Sequence, residues 1–422
     1  MKKKPSDLGE TRRSGDNRVA AVNCEEVESD RSVRDALAKA FDSLNIENDL
    51  SGRPSVVIKP NVCWDEGWRT GGTTCPQLVE ALVSLIRDAG VEDITLAEGS
   101  MVGMKTTECL EKLGFVDLAN RMGLRIVDLN EDETVPVRVP NPTVFEKIDV
   151  ARTITEAGYL INVPVMKTHI NTLVTLSMKN LKGTIPQNWK KRFHYMGLDG
   201  SIADLASAVR PDLVVMDGLI GQEGMGPLTG TPANSKVLMI SRDPFSIDVA
   251  AASAMGFDPA EIKHLAIYAE KNGLDLSYRP EMTILPFSEL ALDFEKPRFA
   301  LEGAYEGVDI LWGDPCSGCA GALSVALERM QKAGELDEIR RGGGMTVALG
   351  KDAKPDARPR LVMMGKCQHK NRDKGLYIPG CPPPGMIVRD ILLKLCNAPS
   401  KYGGDAFIQE AEGLYKEEGE SD

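Results

Sequence analysis

The sequence predicts an α/β fold in two parts: a large domain built on a mostly parallel sheet with helices on both faces, and a smaller α/β module after it. The first observation is length, because 422 residues exceed the roughly 250 to 300 residues at which a single hydrophobic core stops growing. The second is the pattern from residue 55 onward, where short β-branched runs alternate with amphipathic helical stretches. This alternation is typical of parallel strands joined by helices.

A first strand–helix–strand unit lies between residues 55 and 97. Residues 55–58 are predicted as a strand, residues 75–89 as a helix with leucines at helical spacing, and residues 94–97 as the next strand. Gly90 ends the helix. Further elements show the same two patterns, with strands at residues 124–127, 159–163, 213–216 and 237–240 and helices near residues 107–122, 202–209, 244–255 and 259–271.

The large domain is expected to span residues 21–290, because the sequence after residue 285 loses any clear period. The smaller module is expected to span residues 300–396. Residues 1–20 and 397–422 are expected to be tails, the first flexible and without the apolar region of a secretory signal. Elements of the module are predicted as strands at 309–312, 345–349 and 361–364 and helices at 322–332 and 386–395.

Composition excludes several classes of partner. The net charge is −12 with acidic and basic residues interspersed, so no basic stripe for nucleic acid is present. No apolar run reaches the roughly 18 residues of a membrane span. Nine cysteines without a signal peptide indicate a reducing compartment, so we expect a cytoplasmic protein whose clustered thiols bind metal or act in catalysis. The oligomeric state is left open.

Four of the nine cysteines form a pattern within the smaller module. The segments DPCSGC, GKC and IPGCPPPG place Cys316, Cys319, Cys367 and Cys381 after predicted strands or turns. Two thiolates in a C-x-x-C sequence can face one metal, and N–H groups of the glycine-containing turn can donate to the anionic sulfurs. We therefore expect all four sulfurs to converge on one metal centre at one edge of the sheet.

Both zinc and iron–sulfur clusters suit four thiolates. Structural zinc sites usually pair two C-x-x-C knuckles, whereas here two of the ligands arrive singly. Proline after a ligand cysteine, as at Pro382, is also typical of cluster motifs. The spacing favours a redox-active four-iron four-sulfur (4Fe-4S) cluster, with zinc or ordinary buried thiols as the alternatives.

The same motifs carry a resemblance. C-x-x-C, then G-x-C, then P-G-C-P-P before a helix resembles the cluster-binding pattern of hydrogenase small subunits and the related complex I subunit, over about residues 309–396. The resemblance implies a 4Fe-4S cluster ligated by Cys316, Cys319, Cys367 and Cys381. It does not imply hydrogenase activity, because the long partner-binding segments of those subunits are missing.

A second resemblance covers the large domain. The segments VVIKPNV, VPVMKTHI, SMKNLKGTI, VVMDGLIGQEGMGP and SRDPFSIDVAA resemble the family called domain of unknown function 362, over roughly residues 55–275. The resemblance implies the α/β fold and, because members often carry one, an iron–sulfur module. It implies no defined reaction.

Basic and amide side chains recur outside helix faces in these segments. Ligands of parallel α/β sheets lie outside the carboxyl ends of strands, so such residues could share one crevice and bind a carboxylate or phosphate. Any single lysine could equally be a solvated surface charge. Lys167 is a catalytic candidate, and His169 is a candidate proton donor. The predicted basic and amide site residues are Lys59, Asn61, Lys167, His169, Lys179, Asn180 and Lys182.

Carboxylates follow the strand at residues 213–216 in a glycine-rich loop. Asp217 is predicted to contact the substrate, and Glu223 to act as general acid or base, although a tight turn explains Glu223 equally well. Asp243 before Pro244 has the signature of a helix N-cap and is predicted to be structural.

The leading hypothesis is an iron–sulfur oxidoreductase that exchanges electrons with a small anionic substrate in the cleft lined by these residues. The alternative is an electron-transfer or cluster-carrying accessory protein without its own substrate. A Lewis-acid hydro-lyase or isomerase would need an open iron site, which four cysteine ligands disfavour. No G-x-G-x-x-G follows the first strand, so we expect electrons from a ferredoxin-like partner rather than a bound dinucleotide.

Overall fold

The computed structural model describes residues 16–227, 229–297, 301, 303–315, 317–396 and 403–410. The chain divides into two compact units. The described part of the first comprises residues 16–169, 173–190 and 199–297, and that of the second comprises residues 170–172, 191–198 and those from 301 onward.

The first unit is built around a large β-sheet. Its strands are β1 (Val19–Asn23), β2 (Val56–Lys59), β3 (Ile94–Glu98), β4 (Arg125–Asp128), β5 (Thr134–Arg138), β6 (Lys147–Ala151), β7 (Leu160–Asn162), β8 (Val165–His169), β9 (Leu173–Thr175), β10 (Leu213–Glu223), β11 (Thr231–Ala233), β12 (Val237–Ser241) and β13 (Met282–Ile284). The main path of the sheet is β13-β1-β12-β10-β7-β2-β3-β4, with β8, β9 and β11 attached through β10, while β5 and β6 pair separately. The run from β10 to β4 is parallel, and β12 is antiparallel to both of its neighbours.

Helices connect these strands. They are α1 (Asp30–Leu44), α2 (Ile46–Leu50), α3 (Pro76–Asp88), α4 (Thr106–Lys112), α5 (Phe115–Met122), α6 (Arg152–Thr155), α7 (Ser177–Asn180), α8 (Gln187–Met196), α9 (Leu198–Ala208), α10 (Pro244–Ala254) and α11 (Lys263–Asn272). Short 3-10 helices lie at Trp68–Thr70, Leu181–Thr184, Pro259–Glu261 and Phe287–Glu289.

The core of the first unit follows from continuous apolar strands. β2, β3 and β12 are buried along their whole length, as expected for strands covered on both faces. Leucines such as Leu37 of α1 and Leu82 of α3 are fully buried in the same apolar cluster as these strands. The carboxyl ends of β2, β3 and β7 lie at one edge of the parallel part, which positions the residues that follow them.

The second unit is a smaller α/β module with an all-parallel sheet in the order β14-β15-β16-β17. Its own core contains buried apolar residues from both helices and strands. The elements are β14 (Val308–Trp312), α12 (Ser317–Lys332), α13 (Glu335–Arg341), β15 (Met345–Leu349), β16 (Leu361–Met364), β17 (Leu376–Ile378) and α14 (Gly385–Leu392), with 3-10 helices at Lys366–Lys374 and Leu393–Cys396.

The predicted fold class, a large mostly parallel sheet with helices plus a smaller α/β unit, is confirmed at this level. The predicted helix at residues 107–122 is two helices, because Gly114 between them adopts a left-handed φ of 80°. The strand predicted at residues 213–216 continues to Glu223, where its far end pairs with β8 and β11.

Three predicted boundaries differ from the structure. β1 begins at Val19, inside the predicted N-terminal tail, because its apolar residues are buried between β12 and β13. The first unit continues past residue 290 to Pro297, since Phe294 N donates to Met255 O at 3.0 Å. Residues 170–172 and 191–198, predicted within the large domain, group with the second unit. None of the helices among the described residues has the length and apolarity required to cross a membrane.

Candidate functional site

Lys59 lies at the end of β2, where its buried ammonium group is held by several segments of the first unit. Its Nζ donates to the carbonyl oxygen of Pro60 at 2.9 Å and to Asn180 Oδ1 at 3.4 Å, and pairs with Glu98 at 3.0 Å. The Glu98 carboxylate, at the end of β3, also accepts the backbone N–H groups of Val62 and Gly99. Burial lowers the pKa of Lys59, and Glu98 opposes this effect.

Lys167 in β8 is joined to Lys59 through two amide side chains. Its Nζ donates to Asn61 Oδ1 at 2.8 Å and to the carbonyl oxygen of Gly72 at 2.6 Å. Asn61 Nδ2 in turn donates to Asn180 Oδ1 at 2.6 Å. Four of the predicted site residues therefore form one buried hydrogen-bond network.

The short helix α7 carries Lys179 and Asn180 and is fixed by Asp248. The N–H groups of the first two residues of α7 donate to the Asp248 carboxylate at 2.7 and 2.9 Å. Asn180 Nδ2 donates to Asn162 Oδ1 at 2.8 Å. Burial raises the pKa of Asp248 to about 7. Asp248 thus positions the helix that presents Lys179.

Two further residues, Lys190 and Cys63, adjoin this network. Lys190 in α8 is buried, and its Nζ donates to Gly99 O, Ser100 O and Asn130 Oδ1 at 2.8, 3.0 and 2.5 Å. The signal for this helix in the sequence is the helical spacing of the buried aromatic residues around Lys190. Cys63 is half-buried with its Sγ 3.6 Å from Lys167 Nζ.

We refer to Lys59, Lys167, Lys179, Lys182 and Lys190 as the lysine group. Positive charges within it repel one another: Lys167 lowers the pKa of Lys59, Lys182 and Lys167 lower that of Lys179, and Lys59 and Lys182 lower that of Lys190. Burial is the largest cause in each case, and it lowers the pKa of both Lys182 and Lys190 to about 7. The five amines are therefore close enough to affect one another's pKa.

The five residues of the lysine group differ in how deeply they are buried. Lys59, Lys167 and Lys190 are 0, 1 and 2% exposed, whereas Lys179 and Lys182 are half-buried. Gly183 allows this packing, because a Cβ at this position would overlap the Glu98 carboxylate and lie 2.6 Å from Lys59 Nζ. Lys179 and Lys182 are thus the least buried residues of the lysine group.

The remaining predicted residues make other contacts. Asp217 is buried, its carboxylate accepts the N–H groups of Cys75 and Leu219 at 2.7 and 3.1 Å, and burial raises its pKa to about 6. The Glu223 carboxylate accepts the N–H of Glu295 at 2.8 Å. His169 is half-buried at the end of β8, in the pair with Leu173 of β9. Substrate contact by Asp217 and catalysis by His169 or Glu223 stay predictions.

Asp243 has the predicted structural role. Its side chain accepts the N–H of Ser246 at 3.0 Å, and Pro244 occupies the first turn of α10. The N-cap prediction is confirmed.

Three of the four predicted cluster ligands lie in the second unit at the carboxyl ends of strands or in the helix that follows one. Cys319 is in the first turn of α12 after β14, Cys367 follows β16, and Cys381 follows β17. Cys316 lies outside the described residues. A Cβ at Gly365 would lie 3.0 Å from Cys319 Sγ and 3.5 Å from Cys367 Sγ, so these sulfurs face one point.

Backbone contacts also bring the Cys381 segment to this place. Lys366 N donates to Gly380 O at 2.8 Å, and a Cβ at Gly318 would lie 2.9 Å from Pro382 Cγ. His194 Nδ1 lies 2.8 Å from the carbonyl oxygen of Pro382. Within the described residues, no three His, Cys, Asp or Glu side chains lie close enough to hold a metal ion by themselves.

The comparison with known protein families gives a match within the first unit. Residues 56–253 match the family described as Domain of unknown function (DUF362). The matched segment includes every member of the lysine group and agrees with the resemblance carried by the sequence motifs.

A curated relative and two solved structures are similar to parts of the chain. A thylakoid-associated protein from Synechocystis sp. is 28% identical over 267 residues, covering 58% of this chain and 79% of the relative. A crystal structure of a Thermotoga maritima protein has a TM-score of 0.35 and 13% identity, covering 58% of this chain and 59% of its own. The lactate racemase apoprotein from Thermoanaerobacterium thermosaccharolyticum has a TM-score of 0.38 and 12% identity, covering 58% and 57%. This chain thus spans less than two thirds of either structure.

Proposed function

We propose that this chain is an iron–sulfur oxidoreductase. A 4Fe-4S cluster in the second unit would be held by Cys316, Cys319, Cys367 and Cys381, and a small anionic substrate would bind at the lysine group of the first unit. When bound, the cluster would supply one-electron transfer.

The proposal of a cluster is supported by the chemistry and placement of the thiols. The described ligands belong to three segments that contact one another, and Gly365 leaves the space in front of the sulfurs of Cys319 and Cys367 clear. Cys319 lies in the first turn of α12, where the helix dipole favours an anionic sulfur. Four cysteines satisfy the ligand requirement of such a cluster.

The observation that carries the substrate proposal is the hydrogen-bond network that links Lys59 to Lys167 through Asn61 and Asn180, with Lys179 next to Asn180 in α7. Lys59, Lys167 and Lys190 donate to protein carbonyl and amide oxygens, so they hold the scaffold and contribute positive potential. Lys179 and Lys182 would bind the anion directly. His169 and Glu223 remain candidates for proton transfer.

Metal analysis of anaerobically purified protein tests the cluster. We expect about four irons and a matching amount of sulfide per chain. Cys381→Ser should lose iron, whereas Cys396→Ser, a matched change in the same unit away from the predicted ligands, should keep it. One zinc per chain without sulfide would contradict the proposal.

Isothermal titration calorimetry with oxalate or sulfate tests the anion site. Lys182→Met should weaken binding, because one charged hydrogen-bond partner contributes about 1.5 to 3 kcal/mol. Lys236→Met removes an exposed lysine paired with Glu25 in the same unit and should leave binding unchanged. Iron–sulfur protein without anion binding would leave the electron carrier as the better description.

A further inference from the structure

Lys179 differs from Lys59, Lys167 and Lys190 in its hydrogen bonding. Its Nζ lies 3.2 Å from Thr175 Oγ1, a neutral hydroxyl. Lys59, Lys167 and Lys190 each bond to two or more protein oxygens and are fully buried. Lys179 is half-buried, and its amine has this single protein acceptor among the described residues, so it keeps hydrogen-bonding capacity.

The backbone that carries Lys179 is rigidly held. Asp248 accepts the first two N–H groups of α7, and the neighbouring Asn180 bonds to Asn162 and, through Asn61, to Lys167. A side chain on such an anchored turn is presented in one direction, which is the arrangement that a reactive group needs.

We propose that the Lys179 amine is a nucleophile that forms an imine with the carbonyl group of an anionic oxo acid. The inference rests on the proposed function in one respect, that the lysine group binds a small anion. Lys182 lies beside it to bind the carboxylate, and Lys179 reacts with the adjacent carbonyl carbon.

The protonation state of Lys179 supports this role. Burial, together with the positive charges of Lys182 and Lys167, holds its pKa well below the usual range. A lysine next to another cation in a desolvated site is activated in this way, because the neutral amine retains its lone pair.

The step balances without an oxidant or reductant. The nitrogen lone pair attacks the carbonyl carbon, a C–N bond forms, and the carbonyl π electrons move to oxygen. Proton transfer from nitrogen to oxygen gives the carbinolamine, and loss of water breaks the C–O bond and leaves the C=N bond. The amine and oxo acid thus give an imine and one water molecule.

Reductive trapping tests the inference on the full-length holoprotein. The protein is incubated anaerobically with pyruvate, glyoxylate or 2-oxoglutarate and sodium cyanoborohydride at neutral pH, digested and mapped by mass spectrometry. We expect one predominant adduct, on Lys179, with at least one of these acids, and oxalate should suppress it by competition. Adducts spread over exposed lysines without preference for Lys179 would overturn the inference.

Variants separate a nucleophile from a structural lysine. Lys179→Arg keeps the positive charge and should abolish the adduct, whereas Lys236→Arg should not. Lys182→Met should raise the Lys179 pKa and shift the pH profile of trapping to higher pH, and Lys182→Arg should restore the original profile. An unshifted profile in Lys182→Met would contradict the coupling.

Different experimental results would refute the imine proposal and the anion-site proposal. Oxalate binding by calorimetry with no adduct on Lys179 would refute the imine and leave the anion site standing. Absence of oxalate binding together with absence of any adduct would refute the substrate site itself, and the iron content would still report independently on the cluster.

Discussion

The lysine group and the predicted cluster cysteines both lie near the carboxyl ends of parallel strands. The two sets of residues differ in what holds them. The buried lysines are fixed by protein oxygens, with Lys59 against Glu98 and Lys167 against Asn61. The cysteines lie on turns shaped by Gly365 and Gly380, both with positive φ, and the thiols range from buried to exposed. The first site is held by protein groups, whereas we propose that the second is completed by a bound cluster.

Removal of a cluster ligand should produce the largest difference between the two units. A structural metal centre contributes on the order of 10 kcal/mol to the folding of its module, so Cys381→Ser should unfold or loosen the second unit. The first unit should keep its anion affinity. Two-transition thermal unfolding, followed by calorimetry, measures both; a first unit that unfolds together with the second would break the comparison.

Glu98→Gln should lower the unfolding free energy of the first unit, by less than Cys381→Ser lowers that of the second. It leaves the buried Lys59 ammonium without its counter-charge, and breaking a buried ion pair costs about 3 to 5 kcal/mol. Urea denaturation of the variant gives the free energy of unfolding. The matched control is Glu108→Gln, which removes an exposed ion pair with Lys105 and should leave the unfolding midpoint unchanged.

Gly183→Ala tests how closely the lysine group is packed. The added methyl overlaps Glu98 and Lys59, and overpacking of this kind typically costs about 1 to 3 kcal/mol. Gly67→Ala serves as the matched control, since its φ is −66° and nothing lies within 4 Å of its Cβ. If Gly183→Ala left both the unfolding free energy and oxalate affinity at wild-type values, the packing described for this site would be wrong.

The pH dependence of anion binding should be the smallest effect. Lys182 has a pKa of about 7 and binds an anion in its charged form, so affinity should fall as pH rises through 7, by about tenfold between pH 6 and pH 8. The sign follows because charged Lys182 predominates below its pKa. Lys182→Met should flatten the profile, and a rise in affinity with pH would contradict the assignment.

The stability contributions of two buried ionisable groups change with pH in opposite directions. The raised pKa of Asp248, about 7, contributes stability that is present below its unfolded value and is lost as pH rises towards 7. The lowered pKa of Lys190, also about 7, contributes stability that is present above its unfolded value of 10.5 and is lost as pH falls towards 7. The penalties for charging Asp248 and for neutral-to-charged titration of Lys190 therefore both apply near neutral pH.

The position of Lys59 near a strand end could be predicted, because strands are recognised from local sequence patterns. Lys59, predicted just past a strand, is the last residue of β2, whereas Lys167 lies inside β8, a strand that was not predicted. The hydrogen bonds among Asn61, Asn162 and Asn180 depend on which strands become neighbours, and no local pattern encodes the order β10-β7-β2.

Residues on helices were harder to predict. Lys190 resembled a surface charge in a basic stretch, and only the packing of α8 against the segment after β3 buries it. Asp248 follows the N-cap residue Asp243 in the same helix. Nothing in the sequence indicated that its carboxylate accepts hydrogen bonds from α7. The cysteines were easier, because their strands are consecutive neighbours in the small sheet.

Electron paramagnetic resonance of the anaerobically purified protein, before and after reduction with dithionite, tests the central claim most directly. We predict that dithionite produces a paramagnetic signal of a reduced 4Fe-4S cluster, that the signal accounts for most of the iron, and that Cys381→Ser lacks it while Cys396→Ser retains it. A protein that holds zinc and shows no reducible signal would contradict the account.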